Sequence, residues 1–111
     1  MLWGLYLRRR SPSVAIFEKR SEFNEWKGDW GGRSINLVLT YKALEALDEI
    51  GIKDLVIESA VPLACTTFHN PDGNIERIPY LSDCYTISRN ALLEVLVGLA
   101  QGNDVEIYYD H

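Results

Sequence analysis

The chain has 111 residues, with 11 Lys and Arg against 16 Asp and Glu, a formal charge of −5, and 47% hydrophobic residues. That length predicts one domain or part of one, large enough for a core that needs no disulfide staples. The acidic balance argues against sequence-independent binding to a nucleic-acid backbone, and no apolar run approaches the ~20 residues of a membrane span. The charge is unevenly placed: Arg8, Arg9, Arg10, Lys19 and Arg20 stand near the start against Glu18, and acidic residues dominate the remainder of the chain. The apolar stretch at residues 1–7 precedes those arginines and is too short for the core of a signal peptide.

In chain order, residues 1–10 read as a helix, with Leu2, Leu5 and Tyr6 at helical spacing. The break at Ser11-Pro12-Ser13 leads into Val14-Ala15-Ile16-Phe17, too short for a helix and therefore a buried strand, which ends at Glu18. Residues 21–32 hold two tryptophans and three of the eight glycines without a regular apolar period, which predicts a loop. Residues 35–39 predict an extended piece feeding a helix. Thr40 is its N-cap, Tyr41, Leu44, Leu47 and Ile50 recur at three-residue spacing, and Gly51 supplies the stop. A shorter helix comes next at residues 53–59, ended by Pro62.

Residues 63–69 and 74–78 flank Asn70-Pro71-Asp72-Gly73. Proline presets the turn and glycine takes its left-handed position, so a β-hairpin is expected. Residues 85–88 predict a short strand, and residues 90–100 a helix with Leu92, Val95, Leu96 and Leu99 on one face. Residues 105–109 form a closing strand. Strands alternating with helices, plus one hairpin, predict an α/β fold with an antiparallel side sheet.

A strand that ends in a carboxylate, preceded by a helix, has the form of the second half of a dinucleotide-binding unit. There the acid accepts hydrogen bonds from the adenosine ribose. The first strand and the G-x-G-x-x-G turn are not seen before Met1, so the chain is expected to begin inside the motif, as an incomplete Rossmann-like domain. Gly31-Gly32-Arg33-Ser34 offers open backbone amides, a guanidinium and a hydroxyl suited to phosphate, and suits a plain surface loop equally. Ser88-Arg89 places a cation where helix amides also point, a natural anion site, although an arginine there is unfavourable for the helix dipole itself. Cys65 and Cys84 form no C-x-x-C and predict two partly buried thiols in a reducing compartment. His69 and His111 lack companions for a metal, and no Ser/His/Asp or Cys/His set is present. Tyr80, beside Pro79, reads as a packing residue with a wet hydroxyl.

Three stretches carry a family resemblance: Phe17-Glu18-Lys19-Arg20, Gly32-Arg33-Ser34-Ile35-Asn36-Leu37 and Tyr85-Thr86-Ile87-Ser88-Arg89. Their order and spacing resemble the kynurenine 3-monooxygenases, which are FAD-dependent aromatic hydroxylases. Val61-Pro62, His69, Gly73 and Pro79-Tyr80 also fall where that family has equivalents. The resemblance implies that residues 1–111 form a partial FAD-binding domain with an antiparallel β-hairpin layer on the substrate side. It implies that Glu18 holds the adenosine ribose, that Lys19, Arg20, Arg33, Ser34 and Arg89 lie along the FAD, and that Tyr80 hydrogen-bonds the substrate carboxylate. By the same resemblance NADPH reduces the flavin, and oxygen activated there hydroxylates a kynurenine-like aromatic ring in tryptophan catabolism, the cofactor carrying the hard chemistry.

Two departures stand out. A gapless match puts Thr66, with Ala64 nearby, where the family carries substrate-clamping arginines, and one lost charge-assisted contact of that kind is worth about 1.5–3 kcal/mol. The glycine turn and later flavin-binding segments fall outside residues 1–111, so the chain alone is expected to be inactive. Three outcomes stay open: part of a kynurenine 3-monooxygenase-like flavoprotein, a flavin hydroxylase for another aromatic acid, or a non-catalytic remnant acting as an interaction module. The expected location is cytoplasmic, with the mitochondrial outer membrane as the place of a full-length eukaryotic form. No nucleic-acid partner is expected.

Overall fold

The computed structural model describes residues 1–22 and 35–111. In chain order the elements are α1 (Leu2–Arg8), β1 (Val14–Phe17), β2 (Asn36–Leu39), α2 (Tyr41–Glu49), α3 (Lys53–Ile57), β3 (Val61–Pro62), β4 (Cys65–His69), β5 (Ile75–Pro79), β6 (Tyr85–Ser88), α4 (Arg89–Gly102) and β7 (Val105–Tyr108). The expected α/β class holds, with both parallel and antiparallel pairing. The contacts divide the chain into two units, residues 1–36 with 88–111, and residues 37–87.

In the first unit β1 and β7 pair in parallel, Val14 opposite Val105 and Phe17 opposite Tyr108. Parallel neighbours need a crossover rather than a tight turn, and α1 and α4 pack on the pair. Alternation along the strands turns Val14, Ile16, Val105 and Ile107 inward and leaves Ala15, Phe17, Glu106 and Tyr108 exposed. Gly4 sets how closely α1 approaches: a Cβ there would lie 2.6 Å from Ile16 Cδ1 and 3.2 Å from its Cγ1. Among the described residues, Leu5, Leu96, Val97, Ala100 and Val105 are the buried hydrophobic side chains of this unit.

The inner face of α4 differs from the expected one. Leu96 is buried as expected, but Val97 and Ala100 are buried with it while Leu92, Val95 and Leu99 are only half-buried, a shift of about one residue around the helix. The physical reason is that α4 is apolar on nearly every side, so periodicity alone does not choose its inner stripe. Its ends are well capped: Ser88 Oγ accepts from Ala91 N at 3.1 Å, and Asn103 Nδ2 donates to Leu99 O at 2.7 Å. Arg8 ties the end of α1 to the next turn, with Nε donating to Asn103 O at 2.9 Å and Nη1 to Ser11 O at 3.0 Å. Its Nη2 stands 3.8 Å from the Asp104 carboxylate. Asp104 itself holds φ at 55°.

In the second unit Leu44, Leu47 and Ile50 are buried as their spacing predicts, joined by Leu39, Ile52, Val56, Cys84 and Ile87. Tyr41, assigned to the same stripe, is 49% exposed. Thr40 occupies the N-cap with extended backbone, but its hydroxyl makes no capping bond. Gly51 ends α2 with φ at 75°, a conformation that glycine adopts without steric cost.

A three-stranded sheet runs β2-β6-β3, with Val61 opposite Thr86. The strand expected from residue 63 begins instead at Cys65, because Leu63 N donates across to Cys84 O at 2.8 Å beside this other sheet. The hairpin β4–β5 forms as expected, in register from Cys65 opposite Pro79 to His69 opposite Ile75. Its turn is closed by Gly73 N to Asn70 O at 3.0 Å and Asn70 N to Asn74 O at 2.9 Å, with Gly73 left-handed at φ 86°.

Replacing Gly4 with Val is expected to cost about 1–3 kcal/mol through overpacking against Ile16. Gly4→Ala is expected near neutral, since a helix-propensity gain of up to about 1 kcal/mol offsets the displacement of one flexible methyl. Ser88→Ala loses about 1 kcal/mol with its cap. Urea unfolding followed by circular dichroism measures all three.

Candidate functional site

The first set of candidate residues sits where β1 ends. Glu18 N donates to Tyr108 O at 2.8 Å, His111 N to Glu18 O at 3.1 Å, and Asp110 N to Arg20 O at 3.1 Å. Residues 18–20 therefore run beside residues 108–111, held by main-chain bonds. Glu18 Oε1 accepts from Arg20 N at 3.0 Å, which fixes the carboxylate and leaves it acceptor capacity for further donors. Lys19 is exposed.

Asn103 and Asp104 form a two-residue connection between α4 and β7, so α4 runs back along the strand. Its first residue, Arg89, thereby lies toward the end of the sheet where the chain passes Glu18. In open parallel sheets ligands bind outside that carboxyl end. Arg89 N donates to Ile35 O at 3.0 Å, anchoring the start of the helix to the segment that enters β2. Arg33 and Ser34, with Gly31 and Gly32, lie outside the described residues.

Sequence reasoning overlooked the aromatic character of this end. Phe17 and Tyr108 stack at 5.2 Å, and His111 meets both edge-on at 5.8 and 6.1 Å. The signal was present as aromatic residues at the last position of two strands. Tyr109 has its hydroxyl buried without a hydrogen-bond partner among the described residues. Burial chiefly, and then the carboxylates of Glu22 and Glu18, hold its phenol above the ordinary value. Tyr108 is raised as well, first by its hydrogen bond to Glu106.

The second set lies in the other unit, on the hairpin. Tyr80 N donates to Ala64 O at 3.0 Å, carrying the ladder one step beyond β5. Thr66 Oγ1 donates to Tyr80 Oη at 2.8 Å, so the two substrate-side candidates are brought into direct contact. The same unit holds an open groove of about 440 Å³ whose rim includes Tyr41, Glu45, Asp48, Lys53, Asp83 and Tyr85. Lys53 Nζ is 3.2 Å from Asp48 Oδ1 there. Tyr41, Glu45 and Asp48 recur at helical spacing on α2; the sequence pattern assigns Tyr41 to the buried stripe and gives Glu45 and Asp48 no role. Cys65 and Cys84 are free thiols, Cys65 half-buried as expected and Cys84 buried more deeply than expected, and no metal-binding cluster exists among the described residues.

No family model matches the chain. It is 37% identical over 98 residues to the kynurenine 3-monooxygenase of Salinispora tropica, covering 88% of this chain and 22% of that protein. It is 30% identical over 111 residues to the kynurenine 3-monooxygenase of Caenorhabditis elegans, covering 96% of this chain and 24% of that one. The chain thus spans roughly a quarter of the curated relatives it matches, 22% and 24% in these two cases. Among solved structures, a tetrameric form of 2-methyl-3-hydroxypyridine-5-carboxylic acid oxygenase aligns with a TM-score of 0.79 at 18% identity, over 98% of this chain and 28% of that one. At that identity the likeness is one of fold. No helix among the described residues is long and apolar enough to cross a membrane.

The Tyr109 environment has a pH consequence. Its folded pKa lies above the unfolded value near 10.0, so its contribution to stability is fully present below that pH and is lost as pH rises through the folded value. Unfolding measured from neutral to strongly alkaline pH is expected to show a stability loss beginning near pH 10, shallower in Tyr109→Phe.

Proposed function

We propose that this chain, whose sequence belongs to the kynurenine 3-monooxygenases along 88% of its length, forms part of the FAD-binding domain of an aromatic monooxygenase. The observation that carries this reading is Glu18, held by Arg20 N at the carboxyl end of a parallel strand pair, with the start of α4 directed to the same end. In this reading α1–β1 and α4–β7 belong to a Rossmann-like nucleotide unit, and residues 1–111 are a partial domain of it.

The donor set suits FAD. The Glu18 carboxylate accepts from the ribose hydroxyls, while Lys19, Arg20 and Arg89 supply positive charge for the pyrophosphate, extended by Arg33 and Ser34. When bound, FAD supplies the redox chemistry that activates oxygen for ring hydroxylation, with NADPH as reductant. The chain's own residues bind and orient. The hairpin faces the substrate, a kynurenine-like aromatic molecule, through Tyr80 and Thr66. A second reading, a hydroxylase for a different aromatic compound, is favoured by the hydroxyl of Thr66 bonded to Tyr80 where the family resemblance calls for a guanidinium.

Titration of the chain with FAD, followed by flavin fluorescence, tests the cofactor assignment. Because no G-x-G-x-x-G turn lies within residues 1–111, binding is expected to be weak, saturating only at high FAD, and to fall roughly tenfold further in Glu18→Gln and in Arg89→Ala by loss of a charge-assisted contact. Binding that is absent, or that neither variant weakens, would sink the assignment.

A further inference from the structure

We infer that the Thr66–Tyr80 pair selects an aromatic ligand whose recognised substituent is an uncharged donor–acceptor group, an amide or a phenol, over one bearing a carboxylate. This deepens the second reading above, a hydroxylase for a different aromatic compound, and rests on the hairpin facing the substrate.

Strand alternation places Thr66 and Phe68 of β4 on one face with Glu76 and Ile78 of β5, and the hydrogen bond brings Tyr80 to the same face. Cys65, Thr67, His69, Ile75 and Arg77 take the other, in agreement with Cys65 Sγ and Thr67 Oγ1 standing 3.9 Å apart. The first face is an exposed apolar surface, with Phe68 at 48%, Ile78 at 49% and Tyr80 at 39%. An exposed apolar patch that carries one polar pair is a candidate contact surface.

The pair's remaining hydrogen-bond capacity defines what it takes. Thr66 spends its proton on Tyr80 Oη, so Thr66 Oγ1 is left as an acceptor and Tyr80 keeps one O–H to donate. An amide or phenol offers both a donor and an acceptor and satisfies both groups. A carboxylate only accepts: it gains one neutral donor and sets its charge against the lone pairs of Thr66. The hairpin's own cation, Arg77, lies on the opposite face, while Glu76 shares the face and repels an anion.

Benzamide and benzoate have nearly the same shape and differ in this group, so they serve as probes at millimolar concentration, read from amide NMR shifts of the 111-residue chain. Benzamide is expected to move Thr66, Ile78 and Tyr80, with benzoate several-fold weaker. Thr66→Arg is expected to reverse the order, binding benzoate roughly tenfold tighter than the parent chain does. Thr66→Val, of matching shape, is expected to abolish the preference while leaving the remaining spectrum in place. A parent chain that prefers benzoate, signals that neither probe moves, or a preference that survives Thr66→Val overturns the inference. FAD titration of the same sample keeps the two readings apart. Benzamide preference without FAD binding removes the flavoprotein reading alone, and FAD binding without the preference removes this one alone.

Discussion

The parallel pairing of β1 with β7 is the constraint on which the first unit depends. Two parallel strands cannot be joined by a hairpin turn, so the chain must travel between their ends and return to the start of the second strand. Here α4 makes the return, and Arg8 fastens its exit to the end of α1 through the Asn103 carbonyl. The close contact of α1 with the sheet is possible because of Gly4, whose missing side chain leaves room for Ile16. The carboxyl end of the pair is consequently where Glu18, the aromatic residues 108, 109 and 111, and the start of α4 are directed. In open parallel α/β sheets that is the end at which ligands bind.

The second unit obeys more local rules. Its helices α2 and α3 bury a compact apolar set in which Val56 is fully enclosed, a burial worth about 1.5–3 kcal/mol. Its hairpin takes its register from a turn whose glycine alone accepts the left-handed conformation, with Asp72 bonding Asn74 N at 2.9 Å to fix the loop. A one-residue slip would carry Thr66 to the opposite face and separate it from Tyr80. Turn chemistry at residues 70–73 therefore determines the chemistry presented at residues 66 and 80.

Much of this was legible because the signals are short-range. The Asn70-Pro71-Asp72-Gly73 turn, the Gly51 stop and the Leu44, Leu47 and Ile50 stripe each act within a few residues, and each appears where the pattern places it. The inner stripe of α4 was not legible, since Leu and Val surround the helix and only its neighbours choose among them. Thr40 shows a different limit: the residue type predicts a cap, and the backbone takes the cap conformation, yet the hydroxyl makes no capping bond. The groove rimmed by Tyr41, Glu45 and Asp83 joins segments that are distant in sequence, which no local pattern reveals.

By itself the sequence determined the order of helices and strands apart from the two-residue β3, the hairpin, and the kinship with the kynurenine 3-monooxygenases, because turn residues, caps and contiguous motifs are read within a few positions of one another. Tertiary structure alone decided that β1 pairs with β7, that Arg8 reaches a carbonyl 95 residues away, and that Thr66 donates to Tyr80. These contacts depend on chain closure over long separations and on the packing of faces that are equally apolar in isolation. Their free energies arise only once the elements meet.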